Sequence, residues 1–340
     1  MKRRTVLRAG IVAATAAIVA TVTVQQAEAA PGWQVSVLPL PDGYDSATTG
    51  YLGGTDGRGS YAGTLFHDGK YQLILWNHGK PEVQQVPNGF GGADVADENG
   101  SGVVVGTLYR PGATGSPFVL DRGGIRTLPL PAGDPVPFYA PIAINDRGDI
   151  LGSGTYNGST TRQILWPAHD YAHPIVLPLD RWFAVGLDDD GTVLLDNGSQ
   201  SALWKDGGLR IFASSQDGKF PVMAGIKAGR IVGVYTDYVT NRSVFWPTPD
   251  KALDLPDSSG AFGLNRFGLI VGAGPRPSEV ESGPLSAWLG TRPLGALPIP
   301  AEYKLGSARK VGDDGTIAGI VTNGDPTYNG GRPAIWRWRL

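Results

Sequence analysis

Four histidines, His67, His78, His169 and His173, are the first residues to test for chemistry. The last two stand four apart in HDYAH, a spacing that converges on a metal only when a helix carries it. Here the segment follows Trp166-Pro167 between apolar runs and reads as a surface turn. Asp188-Asp189-Asp190 and Asp313-Asp314 offer oxygens suited to calcium, yet both occupy positions where Asp does ordinary turn work. The 31 acidic residues leave room for a carboxylate pair at the ~5–9 Å separation that glycoside hydrolysis uses, but no spacing selects one. The chain contains no GxSxG, HExxH, GxxxxGK, GxGxxG or DxDxDG motif. The sequence thus nominates no catalytic residue, no metal ligand and no cofactor.

Binding is better represented. Asp94 and Arg309-Lys310 are charged residues in segments whose counterparts elsewhere in the chain are small or apolar. Two longer loops carry groups suited to recognition, Arg276, Glu279 and Glu281 in one, Asn323, Asp325, Tyr328 and Asn329 in the other. The candidate binding residues are therefore Asp94, Arg309, Lys310, Arg276, Tyr328 and Asn329.

The elements that must position these residues follow from composition. Of 340 residues, 50 are Gly and 27 are Pro, too many for a helical protein. Nine Trp, ten Phe and twelve Tyr still supply a core. Short strands joined by tight turns remain.

One phrase returns along the chain: an Asx turn residue, two spacers, Gly, three mostly apolar residues, Gly, a polar stretch, an aliphatic run ending in Trp, then Leu-Pro. It is clearest as NDRGDILG (145–152), leading to Trp166 and VLPL, and as NRFGLIVG (265–272), leading to Trp288 and LPIP. Weaker copies begin near Asp56, Asn99, Asp188, Lys227 and Gly312. From Trp76 to Trp336 the seven copies repeat about every 43 residues, the length of one four-stranded propeller blade. Strand a precedes the Asx, strand b is the GxxxG run, strand c ends in Trp and strand d ends in Leu-Pro. The expected fold is all-β, a seven-bladed β-propeller of four-stranded antiparallel blades. Its repeats cover about 43–87, 88–131, 132–179, 180–213, 214–256, 257–300 and 301–340.

Gly54, Ala143, Gly186, Gly225 and Gly263 stand two before the Asx, where innermost strands crowd the axis. Proline suits an edge strand because it cannot donate to a ladder. The last copy has strands a to c but no strand d, whereas residues 30–42 carry Leu38-Pro39-Leu40-Pro41 with nothing before them to pair. The N-terminal strand is expected to complete the last blade, a clasp that would replace disulfides in a chain without cysteine.

Residues 1–29 read as a twin-arginine-like export signal. Lys2, Arg3, Arg4 and Arg8 precede an uncharged stretch of 16 residues, Ala9 to Val24, shorter than the roughly 20 a membrane helix needs, and Ala27-Glu28-Ala29 is a small-x-small cleavage site. Removing them changes the net charge from −2 to −5, which disfavours nucleic acid and leaves no membrane span. The expectation is a secreted monomer with an extracellular ligand or protein partner.

The repeat resembles the HAF-type extracellular repeat, most closely in APIAINDRGDILG (140–152) and AFGLNRFGLIVG (261–272). The His-Ala-Phe that names the family is absent. The resemblance implies a secreted repeat protein of propeller type and brings no catalytic residues. The function expected is a non-enzymatic binding or scaffold propeller that recognises a glycan, peptide or cell-surface partner. The alternative is a propeller hydrolase or lyase acting on an extracellular polymer, with Asp94, Arg309 and Lys310 among its groups.

Overall fold

The computed structural model describes residues 32–112, 114–156, 160–275, 283–324 and 330–339, and among them there is no helix. The expected leader, residues 1–29, lies outside them. Seven four-stranded antiparallel sheets form a ring, six of them running a to d in chain order from the axis outward. Blades 1 to 6 span residues 49–83, 92–127, 140–177, 183–214, 220–254 and 260–296. Blade 7 takes Leu305–Val311, Ile317–Thr322 and Arg332–Arg339 from the chain's end and Gly32–Val37 from near its start, the latter outermost.

This closing strand pairs from Gly32 opposite Arg339 to Val37 opposite Ala334, and the Leu38 N–H extends the ladder to the Pro333 carbonyl at 2.8 Å. Trp33 and Trp338 meet edge to face at 5.5 Å on the rim. Nearer the axis, Gly50 of blade 1 and Gly331 of blade 7 exchange both backbone hydrogen bonds, at 2.7 and 3.0 Å.

Leu-Pro lies just beyond strand d rather than inside it, and the reason is a hydrogen bond to the next blade. Pro39, Pro129, Pro256 and Pro298 each present a carbonyl to the indole N–H of Trp76, Trp166, Trp288 and Trp336, at 2.7–3.0 Å. These four indoles are at most 1% exposed. At ~25 cal/mol per Å², burying the 150–250 Å² of such a ring contributes about 4–6 kcal/mol per blade junction. The bond is what lets a ring with a polar N–H be buried there.

The Asx residue works twice. Asn145 Oδ1 accepts the N–H groups of Arg147 and Asp149, closing the a–b turn, while its Nδ2 donates to the Asp188 carbonyl of the next blade. Asn99 repeats this toward Asn145, and Asn265 toward Gly312. All three are at most 4% exposed.

In every blade the a–b ladder slips by one residue at the same place, a β-bulge that falls on Gly53, Ala96, Ile142, Val185, Ala224, Phe262 and Arg309. The next residue is small in five blades because neighbouring inner strands touch there. A Cβ on Gly263 would stand 2.0 Å from the Arg309 carbonyl oxygen, and one on Gly54 would stand 2.4 Å from the Glu98 nitrogen. Blades 2 and 7 carry Asp97 and Lys310 at that position instead.

Candidate binding site

The b–c hairpin of blade 1 turns through Asp68 and Gly69, both at positive φ (49° and 73°), the two-residue turn that matches strand twist. That turn sets Phe66 directly opposite Tyr71, rings 5.3 Å apart. Tyr71 leans toward blade 2, where its backbone lies so close to Gly92 that a Cβ there would meet the Tyr71 carbonyl oxygen at 2.5 Å. Tyr109 continues the row 6.1 Å from Tyr71. Phe66, Tyr71 and Tyr109 are 45%, 47% and 38% exposed, an open aromatic arc on one face of the ring.

Beside this arc, between blades 1 and 7, lies a cavity of about 750 Å³, lined by Tyr51, Thr64, Phe66, Tyr71, Ser307 and Arg309 among others. Asp94 is tucked behind it, between blades 1 and 2. It accepts hydrogen bonds from the hydroxyls of Tyr51, Thr64 (3.2 Å) and Tyr109 (3.4 Å). Burial, reinforced by the Asp94 charge, raises the Tyr51 phenol far above its ordinary range and pushes Tyr109 up to about 12. Both phenols are protonated donors at any physiological pH. The carboxylate holds both of them, Tyr51 through Oδ1 and Tyr109 through Oδ2.

Residues from all seven blades line the axial channel, and Arg309 borders it as well as the cavity. Lys310 Nζ of blade 7 reaches Asp97 Oδ1 of blade 2 at 2.7 Å and the Ala96 carbonyl at 3.2 Å. Asp97 Oδ2 meanwhile accepts the Ile144 N–H of blade 3 at 3.0 Å. Glu98, 8% exposed, has its Oε2 without a hydrogen-bond partner. Burial first, and the Asp56 charge second, push its carboxyl up to about 8.

The far end of the channel is bridged by charges from the a–b turns. Arg266 of blade 6 binds Asp313 of blade 7 through Nε at 2.5 Å and crosses to Asp146 of blade 3 through Nη2 at 2.7 Å. Lys227 binds Asp189 at 2.9 Å. Burial works against the Asp146 charge, but the Gly100 N–H, Lys227 and Arg266 outweigh it and hold the carboxyl below the usual range. The acid runs are thus occupied by cations and turn N–H groups. Among the described residues no cluster of three His, Cys, Asp or Glu could hold a metal ion.

The candidates named from sequence separate. Arg309 lines the cavity, Lys310 spans the channel and Asp94 sits between blades. Arg276, Tyr328 and Asn329 lie outside the described residues. His173 meets Asp170 at 2.7 Å in an exposed turn, and His67 stacks on Tyr44 at 3.9 Å. Sequence reasoning missed Tyr51, Phe66, Tyr71 and Tyr109. The signal for two of them was present in FHDGKY, an Asp-Gly turn flanked by aromatics.

No family model and no curated protein matches the chain. Solved structures do. An oligogalacturonate lyase in complex with manganese is 14% identical with a TM-score of 0.60, over 92% of this chain and 94% of that one. The oligogalacturonate lyase of Vibrio parahaemolyticus is 11% identical with a TM-score of 0.58, over 90% and 96%. The acylaminoacyl peptidase of Pyrococcus horikoshii is 10% identical with a TM-score of 0.54, over 80% of this chain and 49% of that one. The chain shares their propeller fold.

Proposed function

We propose that this protein is a secreted, non-enzymatic binding propeller and that the face bearing Phe66, Tyr71 and Tyr109 takes up an extracellular glycan. The observation that carries the reading is the exposed aromatic arc beside a cavity of about 750 Å³, with the neighbouring carboxylate, Asp94, accepting hydrogen bonds from three hydroxyls. Sugar rings stack their C–H faces on such rings while neighbouring hydroxyl and charged groups fix orientation. The leader-like residues 1–29 and the resemblance to extracellular repeats support secretion.

The rival reading, a hydrolase or lyase, draws on the lyases and peptidases that share the fold. It requires a free acid–base pair in the cavity, and Arg309 is the only ionisable lining residue besides the tyrosines among those described. A glycan array run with the purified protein, beside turnover assays on a panel of polysaccharides, tests both. Array binding without turnover is the expected result. Turnover would overturn the proposal.

A further inference from the structure

Resting on that glycan reading, we infer that the site is selective for acidic sugars and that Arg309 holds the carboxylate of a uronate residue.

Arg309 departs from the repeat at one defined place. It occupies the bulge of strand a, where the other blades carry Gly53, Ala96, Ile142, Val185, Ala224 and Phe262, none of them charged. The departure falls in blade 7, one of the two blades that wall the cavity. Among the described residues it is the only charged one lining the cavity, and it is exposed.

Its guanidinium also differs from its neighbours in partnership. Lys310, Arg266 and Lys227 each meet at least one carboxylate within 4.0 Å, whereas Arg309 makes no ion pair and no side-chain hydrogen bond among the described residues. Asp94, the acid closest to the arc, is committed to Tyr51, Thr64 and Tyr109. Arg309 thus brings five N–H donors in a planar fork to the wall of this cavity, on a chain whose net charge without residues 1–29 is −5. An unpaired cation on a chain of net negative charge attracts anions locally. The fork matches a planar carboxylate with two parallel bonds, while the Tyr71 and Ser307 hydroxyls, which line the cavity and are not committed to Asp94, are left to donate to sugar oxygens.

The test is calorimetric titration of the full chain, exported and purified, with three matched trisaccharides: one of hexuronates, its neutral hexose counterpart and an O-sulfated counterpart. The uronate is expected to bind at least about ten-fold tighter than the neutral sugar, the scale of one charge-assisted interaction. Arg309→Gln should erase that preference, read as the ratio of uronate to neutral-sugar affinity, with the melting temperature unchanged, and Arg309→Lys should restore part of it. Equal binding of uronate and neutral sugar by the unaltered chain, or a preference that survives Arg309→Gln, would overturn the inference alone. Equal binding of the sulfated sugar would overturn the carboxylate assignment. No binding of any of the three would overturn both the inference and the glycan reading.

Discussion

Lys310 and Asp97 are joined by a 2.7 Å ion pair between blades that are not neighbours, and each stands where five other blades have Gly or Ala. Blade 1, which separates them, has Gly53 and Gly54 at the matching positions and so puts no side chain between them. The pair ties strand a of blade 7 to strand a of blade 2 across the channel wall, and Asp97 passes the tie on to the Ile144 N–H of blade 3.

Because Asp97 serves two partners and Lys310 is only 28% exposed, removing either leaves a polar group stranded. Asp97→Ala should cost about 2–3 kcal/mol of unfolding free energy and Lys310→Ala about 1–2 kcal/mol. The double variant should lose clearly less than the sum, by about 1 kcal/mol. Urea unfolding of the three variants measures this cycle, and strict additivity would deny the pair any coupling.

The ring as a whole was readable because its parts repeat. Asn145 and Asn265 announce a turn by their spacing to Gly148 and Gly268, and the Trp period gives the blade count. The role of Leu-Pro was not readable. Only the folded ring brings the Pro39 carbonyl to Trp76, 37 residues away. The site was the least legible part, since Arg309 and Tyr71 share a cavity only after the chain ends have met. Asp97 could have been found by asking which copies break the small-residue rule, because Asp97 and Lys310 break it together with opposite charge.

Glu98 makes stability depend on pH. Its carboxyl titrates near 8 in the folded protein against 4.5 unfolded, so the folded state holds the proton more tightly. The stabilising contribution is whole below pH 4.5, falls by about 1.4 kcal/mol per pH unit as pH rises between the two values, and is gone above 8. Glu98→Gln, which cannot ionise, should remove this slope and exceed the unaltered chain in stability at pH 9. Unfolding free energies at pH 5, 7 and 9 decide it. A slope that persists in the variant would place the proton elsewhere.

The clasp carries two kinds of contact that fail together. Deleting residues 33–41 strips the outer strand from Arg332–Arg339 and takes the Pro39 carbonyl from the buried Trp76 indole. The melting temperature should fall by on the order of 10 °C. Substituting Trp76→Phe should cost about 1–3 kcal/mol, since it removes the N–H while leaving the carbonyl to solvent or an unpaired state. Differential scanning calorimetry reads both. An unchanged melt after the deletion would mean that the Gly50–Gly331 bridge and inner-strand packing close the ring without the outer strand.

Stacking and hydrogen bonding by the arc are separable at Tyr71, whose ring stands between Phe66 and Tyr109 and is 47% exposed. Its close approach to Gly92 is made by backbone, so replacing the side chain leaves that junction intact. Tyr71→Ala should lower affinity for a bound oligosaccharide about ten-fold, with unfolding free energy within about 0.5 kcal/mol of the unaltered chain. Tyr71→Phe keeps the stacking face and should keep most of the affinity. If Phe is as damaging as Ala, the hydroxyl rather than the ring face makes the contact. Titration of both variants with the same ligand, alongside their denaturation curves, separates lost stacking from lost folding, because an exposed ring can be removed from this hairpin without disturbing the Asp68-Gly69 turn beneath it.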